Sequence, residues 1–374
     1  MRLKSLSILL YLKSNFKKCI PQIMVVALGT ALMYFMCVLG GGIENQMKNN
    51  VLMAYEKLSC VRINSINVNK EKYIDKLRKN KNVEKIIMAN MSTVRADMLI
   101  SNTGSTMLFM SPENTKYVMK KLDFRLTDGK LPQNDNEILL NSNHAKAMNV
   151  KVGEKISDTV KEDYGLKSQY KVSGIYIGEN IMTFGYIKGV PSELNTNAIV
   201  VIPKQGKLNE VNNFIHSFKD SNISITDYKE LFDDVGAFFS MFKVFAVLIL
   251  VILIVVLTFT IGNMNHIHFE DRISEFSILE AVGYRKVSIF YKIFKEMLVI
   301  IVSGFILGIT CGVLGGNIFN LVYCEPKGVP VGVYNYWYII LSAVIPAVIW
   351  IFSGVSSLKS ISKMDAVDVL EGKE

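Results

Sequence analysis

"VFAVLILVILIVVLTFTI", residues 244–261, runs for eighteen residues without a charge, a proline or a glycine. A bilayer core about 30 Å thick takes roughly 20 apolar residues in a helix. Phe238 to Phe242 lengthen the run, and Lys243 can reach the headgroups along its own aliphatic stem. Three further stretches carry no charge: 20–43, 297–324 and 328–358. The chain of 374 residues is half hydrophobic, and the apolar residues are clustered. Four membrane spans are expected, at 20–43, 236–262, 297–319 and 336–356.

Basic residues set the expected orientation. Arg2, Lys4, Lys13, Lys17 and Lys18 precede the first span with no acid among them. Five more lie in 263–296 and three after residue 358, whereas the loop between the third and fourth spans has only Lys327. Segment 1–19, loop 263–296 and tail 357–374 are therefore placed in the cytoplasm, and 44–235 and loop 320–335 outside. The expected location is the cell membrane, crossed several times. Residues 2–18 read as an amphipathic helix lying in the interface, with Leu3, Leu6, Leu9, Leu10, Leu12 and Phe16 on one side. A cleaved signal peptide is the rival reading of the first span. The long basic lead, the length of the apolar run and the lack of a clear cleavage site favour a retained span.

Region 44–235 holds 27 basic and 23 acidic residues, so the chain's net charge of +9 sits mostly in the flanks of the spans. That distribution argues against nucleic-acid binding. The region reads as a mixed α/β domain inserted between the first and second spans. Strands are expected at 58–68, 83–97, 105–110 and 197–203, and helices at 70–80, 112–122 and 208–219. Segment 137–177 reads as strand, helix, turn, strand, strand. Helical runs at 44–57 and 227–243 adjoin spans one and two as a stalk. The five cysteines have no metal-ligand spacing; Cys60 and Cys324 both fall outside and could pair, though the strand-like run around Cys60 favours free thiols. His266 and His268 read as solvated. Glu296 is either buried between helices or paired with Lys292. No catalytic arrangement and no metal site stand out.

Gly304, Gly308, Gly312 and Gly316 recur every four residues in the third span, a face that lets another helix approach closely. Between spans two and three lies "EFSILEAVGYRKVSIF", residues 275–290. Phe269, Ile273, Phe276, Leu279 and Val282 fall at helical spacing, opposite Glu270, Asp271, Arg272 and Glu275. Gly283 fits the residue just past a helix end, and Arg285 and Lys286 the foot of the next helix. The residues alone leave two readings open, a helix lying on the inner leaflet or one docking into a cytoplasmic partner.

Residues 272–299, "RISEFSILEAVGYRKVSIFYKIFKEMLV", resemble the cytoplasmic loop of FtsX-like/MacB-type ABC transporter permeases, through Arg272, Glu275, Leu279, Ala281, Val282, Gly283, Arg285 and Glu296. Residues 126–156, followed by "YKVSGIY" (170–176), resemble the MacB-type extracytoplasmic domain. The tail "SISKMDAVDVLEGKE" is similar to that family's closing segment, with Ala366 where proline is common.

The resemblance implies a type VII permease subunit, working as a homodimer or related heterodimer with a separate ATPase. Arg272, Ile273, Glu275, Phe276, Leu279, Val282, Gly283 and Arg285 would form the coupling helix that binds it. The sequence has no G-x-x-x-x-G-K-[ST], so ATP and Mg²⁺ would belong to the partner, and this chain would bind no cofactor and would not itself be an enzyme. The implied work is mechanotransmission, with export of a peptide, antibiotic or similar amphiphile, membrane lipid around the spans and an adaptor protein outside. Two rivals stand beside it: an FtsX-like regulator of a cell-wall hydrolase, and an ATP-independent membrane receptor.

Overall fold

The structure is a computed structural model that describes residues 15–64, 70–97, 102–158, 164–166, 168–186, 197–218 and 221–363. Most of the interfacial helix expected at 2–18, and the tail after 363, lie outside the described residues. The chain divides into two compact units. One comprises Met1–Gly42, Met241–Phe319 and Gly332–Glu374, and the other Ile43–Ser240 and Asn320–Val331.

Four helical runs among the described residues are long and apolar enough to cross a membrane. The first is α1 (Phe16–Cys37), which loosens into a wide turn at Val38–Gly42 and continues as α2 (Ile43–Leu52). After the strands described below, α7 (Tyr228–Glu270) runs unbroken for 43 residues, about 65 Å at 1.5 Å per residue. The short α8 (Ile273–Ala281) leads to α9 (Lys286–Phe319). The last run divides into α10 (Tyr336–Ser342) and α11 (Val344–Lys363), where one continuous span was expected. Pro346 is the cause: it has no N–H to return to Ser342, so it sits in the first turn of a new helix instead.

In the first unit α9 lies against α1, and three of the four glycines make that approach possible. A Cβ on Gly304 would lie 2.7 Å from Val26 Cβ, one on Gly308 2.6 Å from the Ala27 carbonyl oxygen, and one on Gly312 3.0 Å from Tyr34 Cβ. Gly316 instead faces Val333, at 3.0 Å. The Tyr34 hydroxyl donates to the Val333 carbonyl at 2.8 Å. Val26, Ile261, Ile301, Ile345 and Ile349 fill the interior of the unit. By contrast, Val244, Phe245, Leu248, Ile252, Val256 and Phe259 of α7 are exposed. A surface of that length and apolarity is stable in lipid or against another apolar helix, and unstable in water.

The second unit is built on a ten-stranded mixed sheet. Its strands are β1 (Ser59–Ile63), β2 (Val83–Asp97), β3 (Asn102–Met110), β4 (Arg125–Gly129), β5 (Glu137–Asn141), β6 (Lys155–Ile156), β7 (Tyr170–Ile177), β8 (Thr183–Tyr186), β9 (Ala198–Pro203) and β10 (Ile223–Thr226). The order is β10-β1-β9-β2-β3-β8-β5-β7-β4, with β6 on β7. Among the described residues only β3/β8 and β5/β7 are parallel.

Strand β9 is buried on both faces, as "AIVVIP" suggests. Ile199 and Val201 pack on α3 (Lys70–Arg78) and α6 (Leu208–His216), while Val200 and Ile202 pack with Tyr55 and Leu58. Helix α4 (Pro112–Lys121) is capped by Ser111, which accepts from the Asn114 N–H, and starts on Pro112. Helix α5 (Ser142–Met148) is capped by Asn141 and closes on left-handed Asn149. Cys60 and Cys324 are free and buried.

His144, on α5, is buried with its Nδ1 3.3 Å from Ser105 Oγ. Burial holds its imidazole down at about 4.

Gly308→Leu should destabilise the protein in detergent by about 1–3 kcal/mol in thermal unfolding. Gly315→Leu, where a Cβ would meet nothing, should be near neutral. His144 gives a pH signature. The unfolded chain takes up the proton first, so stability is full above about pH 6.5 and falls as the pH drops towards 4, by about 3 kcal/mol from the size of the shift. His144→Asn should flatten that slope in the same measurement.

Candidate functional site

Helix α7 ends at Glu270, and two residues later the chain reverses into α8. Gly283 then ends α8 with φ +98°. Its N–H donates to the Glu280 carbonyl at 2.9 Å and the Tyr284 N–H to Leu279 at 3.0 Å, the paired closing bonds of a glycine-terminated helix. The glycine can hold this geometry because it lacks a Cβ. Arg285 follows, exposed, and its carbonyl accepts from the Ser288 N–H at 2.8 Å.

The apolar residues of α8 do not form the single outward stripe that their spacing predicts. Phe276 is 1% exposed and stacks on Phe269 at 5.4 Å between ring centroids. It belongs to a cluster with Ile289 and Ile361, joined by Ile273 and Leu279 at its edge. Ile278 and Val282 turn the other way, 53% and 73% exposed. Residues 276 and 278 differ by about 200° around a helix, so a helix resting on its neighbours buries one and exposes the other. Exposed Val287 and Tyr291, at the foot of α9, add to the outward apolar group. The outward set is thus Ile278, Val282, Val287 and Tyr291, and Phe276 is a core residue.

Arg272, Lys292 and Glu296 are also turned inward, and the half-exposed Glu275 meets them at the surface. Arg272 donates through Nη1 to Glu296 Oε2 at 2.7 Å, through Nε to Glu275 Oε2 at 2.9 Å and through Nη2 to Glu275 Oε1 at 3.2 Å. Lys292 donates to Glu275 Oε1 at 2.9 Å. The guanidinium also lies 4.7 Å over the Phe276 ring. Glu296 is 3% exposed, and its partner is Arg272, not Lys292. Lys292 lies one turn away on α9 but serves Glu275 instead. Burial would raise the Glu275 carboxyl, yet hydrogen bonds from Arg272 and Lys292 outweigh it and hold it at about 2. Arg272 and Glu275, read in the sequence as polar contacts for a partner, are engaged within the chain.

Two further ties reach the site from α1 and α7. Lys18 pairs with Asp271 at 2.9 Å, and Gln22 donates to Asn265 at 2.8 Å. A cavity of about 40 Å³ lies among Cys19, Gln22, Asn265, Arg272, Glu296 and Ser357. The sequence offers no signal for these ties, because their members stand about 250 positions apart. Arrangements of three or more metal-ligating side chains are absent among the described residues. What the geometry offers is a rigid short helix, fixed to the ends of longer ones, with an apolar patch facing outward.

Residues 244–366 match the family described as FtsX-like permease C-terminal. The match covers about a third of the chain and contains α8 and its whole charge network. A search of curated proteins finds no match. Among solved structures, the periplasmic region of MacB from Actinobacillus actinomycetemcomitans is similar at 12% identity, covering 49% of this chain and 94% of that one with a TM-score of 0.27. The extracellular domain of the noncanonic ABC-type transporter YknZ from Gram-positive bacteria is similar at 9% identity, covering 46% and 100%, with a TM-score of 0.26. At TM-scores this low neither likeness bears on fold or function.

Arg272→Ala should cost about 3–5 kcal/mol in thermal unfolding, because it leaves Glu296 buried and unpaired. Arg272→Ala with Glu296→Gln should recover part of that loss. Glu275 is held below its ordinary value, so its contribution is complete above about pH 4.5 and is lost as the pH falls towards 2. Proteolytic nicking within 263–296 should rise over that interval, and Glu275→Gln should remove the pH dependence.

Proposed function

We propose that this chain is the membrane subunit of a MacB-like ABC transporter and that a separate ATPase docks on α8. The observation that carries the reading is the outward apolar group Ile278, Val282, Val287 and Tyr291, set on a helix that its own charge network immobilises. Apolar side chains held rigidly in this way lose little entropy on binding, which favours a protein groove as the partner. The location of the group within the stretch that matches the FtsX-like permease family supports the same reading.

In this mechanism nucleotide-driven closure of the ATPase pulls on α8. Arg272 and Lys292 pass the pull to α9, and the Phe276 cluster passes it to α7 and α11. The outer domain then moves on its stalk helices and works on an amphiphilic substrate, a peptide or antibiotic, on the outer side of the membrane. Loop 263–296 and both chain ends face the cytoplasm. The subunit works as a dimer, with an adaptor protein outside where one is present.

The test is a gentle detergent pull-down of the tagged chain from its native cell. A P-loop protein should co-purify, and Ile278→Asp with Val282→Asp should reduce its recovery at least about tenfold while membrane insertion is unchanged. Phe276→Asp should instead unfold the loop, since it puts a charge in the core. Undiminished recovery with the Ile278/Val282 variant overturns the docking assignment. A cell-wall hydrolase in the eluate would replace export with hydrolase control, and absence of any ATPase would favour a receptor.

A further inference from the structure

Twelve residues of the connection between α9 and α10, Asn320–Val331, belong to the outer unit, although they lie between two membrane helices in sequence. Helix α9 passes through a widened turn at Asn320–Cys324 into a tight turn at Glu325–Gly328. The segment is tied internally. Asn320 donates through Nδ2 to Glu325 Oε1 at 3.0 Å and accepts through Oδ1 from the Val331 N–H at 2.7 Å. The Val329 N–H donates to the Cys324 carbonyl at 3.0 Å.

This closed loop presents Val329, 1% exposed, to the cluster of Ile138, Leu140, Ala145, Met148 and Val172. Gly328 has φ +67° and sits so tightly on α5 that a Cβ there would overlap the Asn143 carbonyl oxygen. Glycine is demanded twice at this position, by backbone conformation and by space. A loop that merely connected two spans would need neither demand.

The stalk segments pack on the opposite face of the same sheet, in a cluster that reaches Leu139 of β5 and Tyr176 of β7, and Asn50 of α2 accepts from the Ile181 N–H at 2.8 Å. Ala54, Tyr55 and Leu58, which follow α2, pack with Ile87, Leu108 and Val200, and Tyr228 and Leu231 of α7 join them. We propose that residues 320–331 form a hook that anchors the α9–α10 connection in the β5–α5–β7 lobe, so that this lobe has a second attachment, on the face opposite the one the stalk residues pack against. If the chain is the permease described above, movement of α9 and α10 then reaches the outer domain directly, in addition to movement through α1 and α7.

The hook is tested on the full chain in lipid nanodiscs, with no ATPase present, by hydrogen exchange. Val329→Asp should accelerate exchange in peptides covering 137–148 and 170–177 by roughly tenfold while 198–216 stays unchanged. Unchanged exchange at 137–148 in this variant overturns the hook. If Val329→Asp loosens the whole outer unit, the milder Val329→Ala decides. A rise confined to 137–148 and 170–177 supports the hook, and a uniform rise or none refutes it. Since no ATPase enters the measurement, failure of the permease reading would leave this result standing.

Discussion

A guanidinium between two carboxylates holds α8 against the long helices of the first unit. Arg272 joins Glu275, on its own helix, to Glu296 on α9, and Lys292 closes the set from the other side. Two positive and two negative charges balance, so burying Glu296 leaves no net charge in an apolar setting. A single unpaired ion there would cost several kcal/mol. A fork of planar donors suits the task better than a lysine, because it serves both carboxylates at once in fixed geometry. With this set in place, α8 cannot rotate freely, and its two apolar faces acquire separate duties.

Those two faces also show where the sequence stops being legible. Helical spacing finds α8, and the Gly283 stop and the restart near Arg285 are equally plain, since each rests on local backbone chemistry. Spacing cannot say which arc of a nine-residue helix is inward. Phe276 and Val282 look alike as apolar residues, and only the positions of Phe269, Ile289 and Ile361 decide that the first is core. Arg272 and Glu296 were both conspicuous as residues, yet their pairing across 24 positions depends on how α8 folds back on α9.

The second unit divides along the same line. Strand β9, helices α3 and α6 and the β5–α5–β7 run follow from alternation, caps and glycine turns in the sequence. The strand order does not. Strand β2 is long enough, at 15 residues, to pair with β9 through its first part and β3 through its second. It thereby joins two halves of the sheet whose other strands come from distant parts of the chain. The capture of 320–331 by this unit was hidden for a similar reason, since a valine in a short loop gives no sign that it fills a remote core.

The glycine ladder on α9 gives the contact with α1 an unusual mechanical character. Notches four residues apart repeat every 6 Å or so along a helix axis, and α1 meets them with Val26, Thr30 and Tyr34 at the same interval. A rail of equal notches would let one helix slide past the other and settle again one step along. The residues filling these notches are unequal, however: valine and threonine are small and tyrosine is large. A shift of one step would drive the Tyr34 ring onto Gly316, where Val333 now sits, and would break the hydroxyl's bond to the Val333 carbonyl. The two helices therefore form a keyed track, smooth along most of its length and locked to a single station by one aromatic ring.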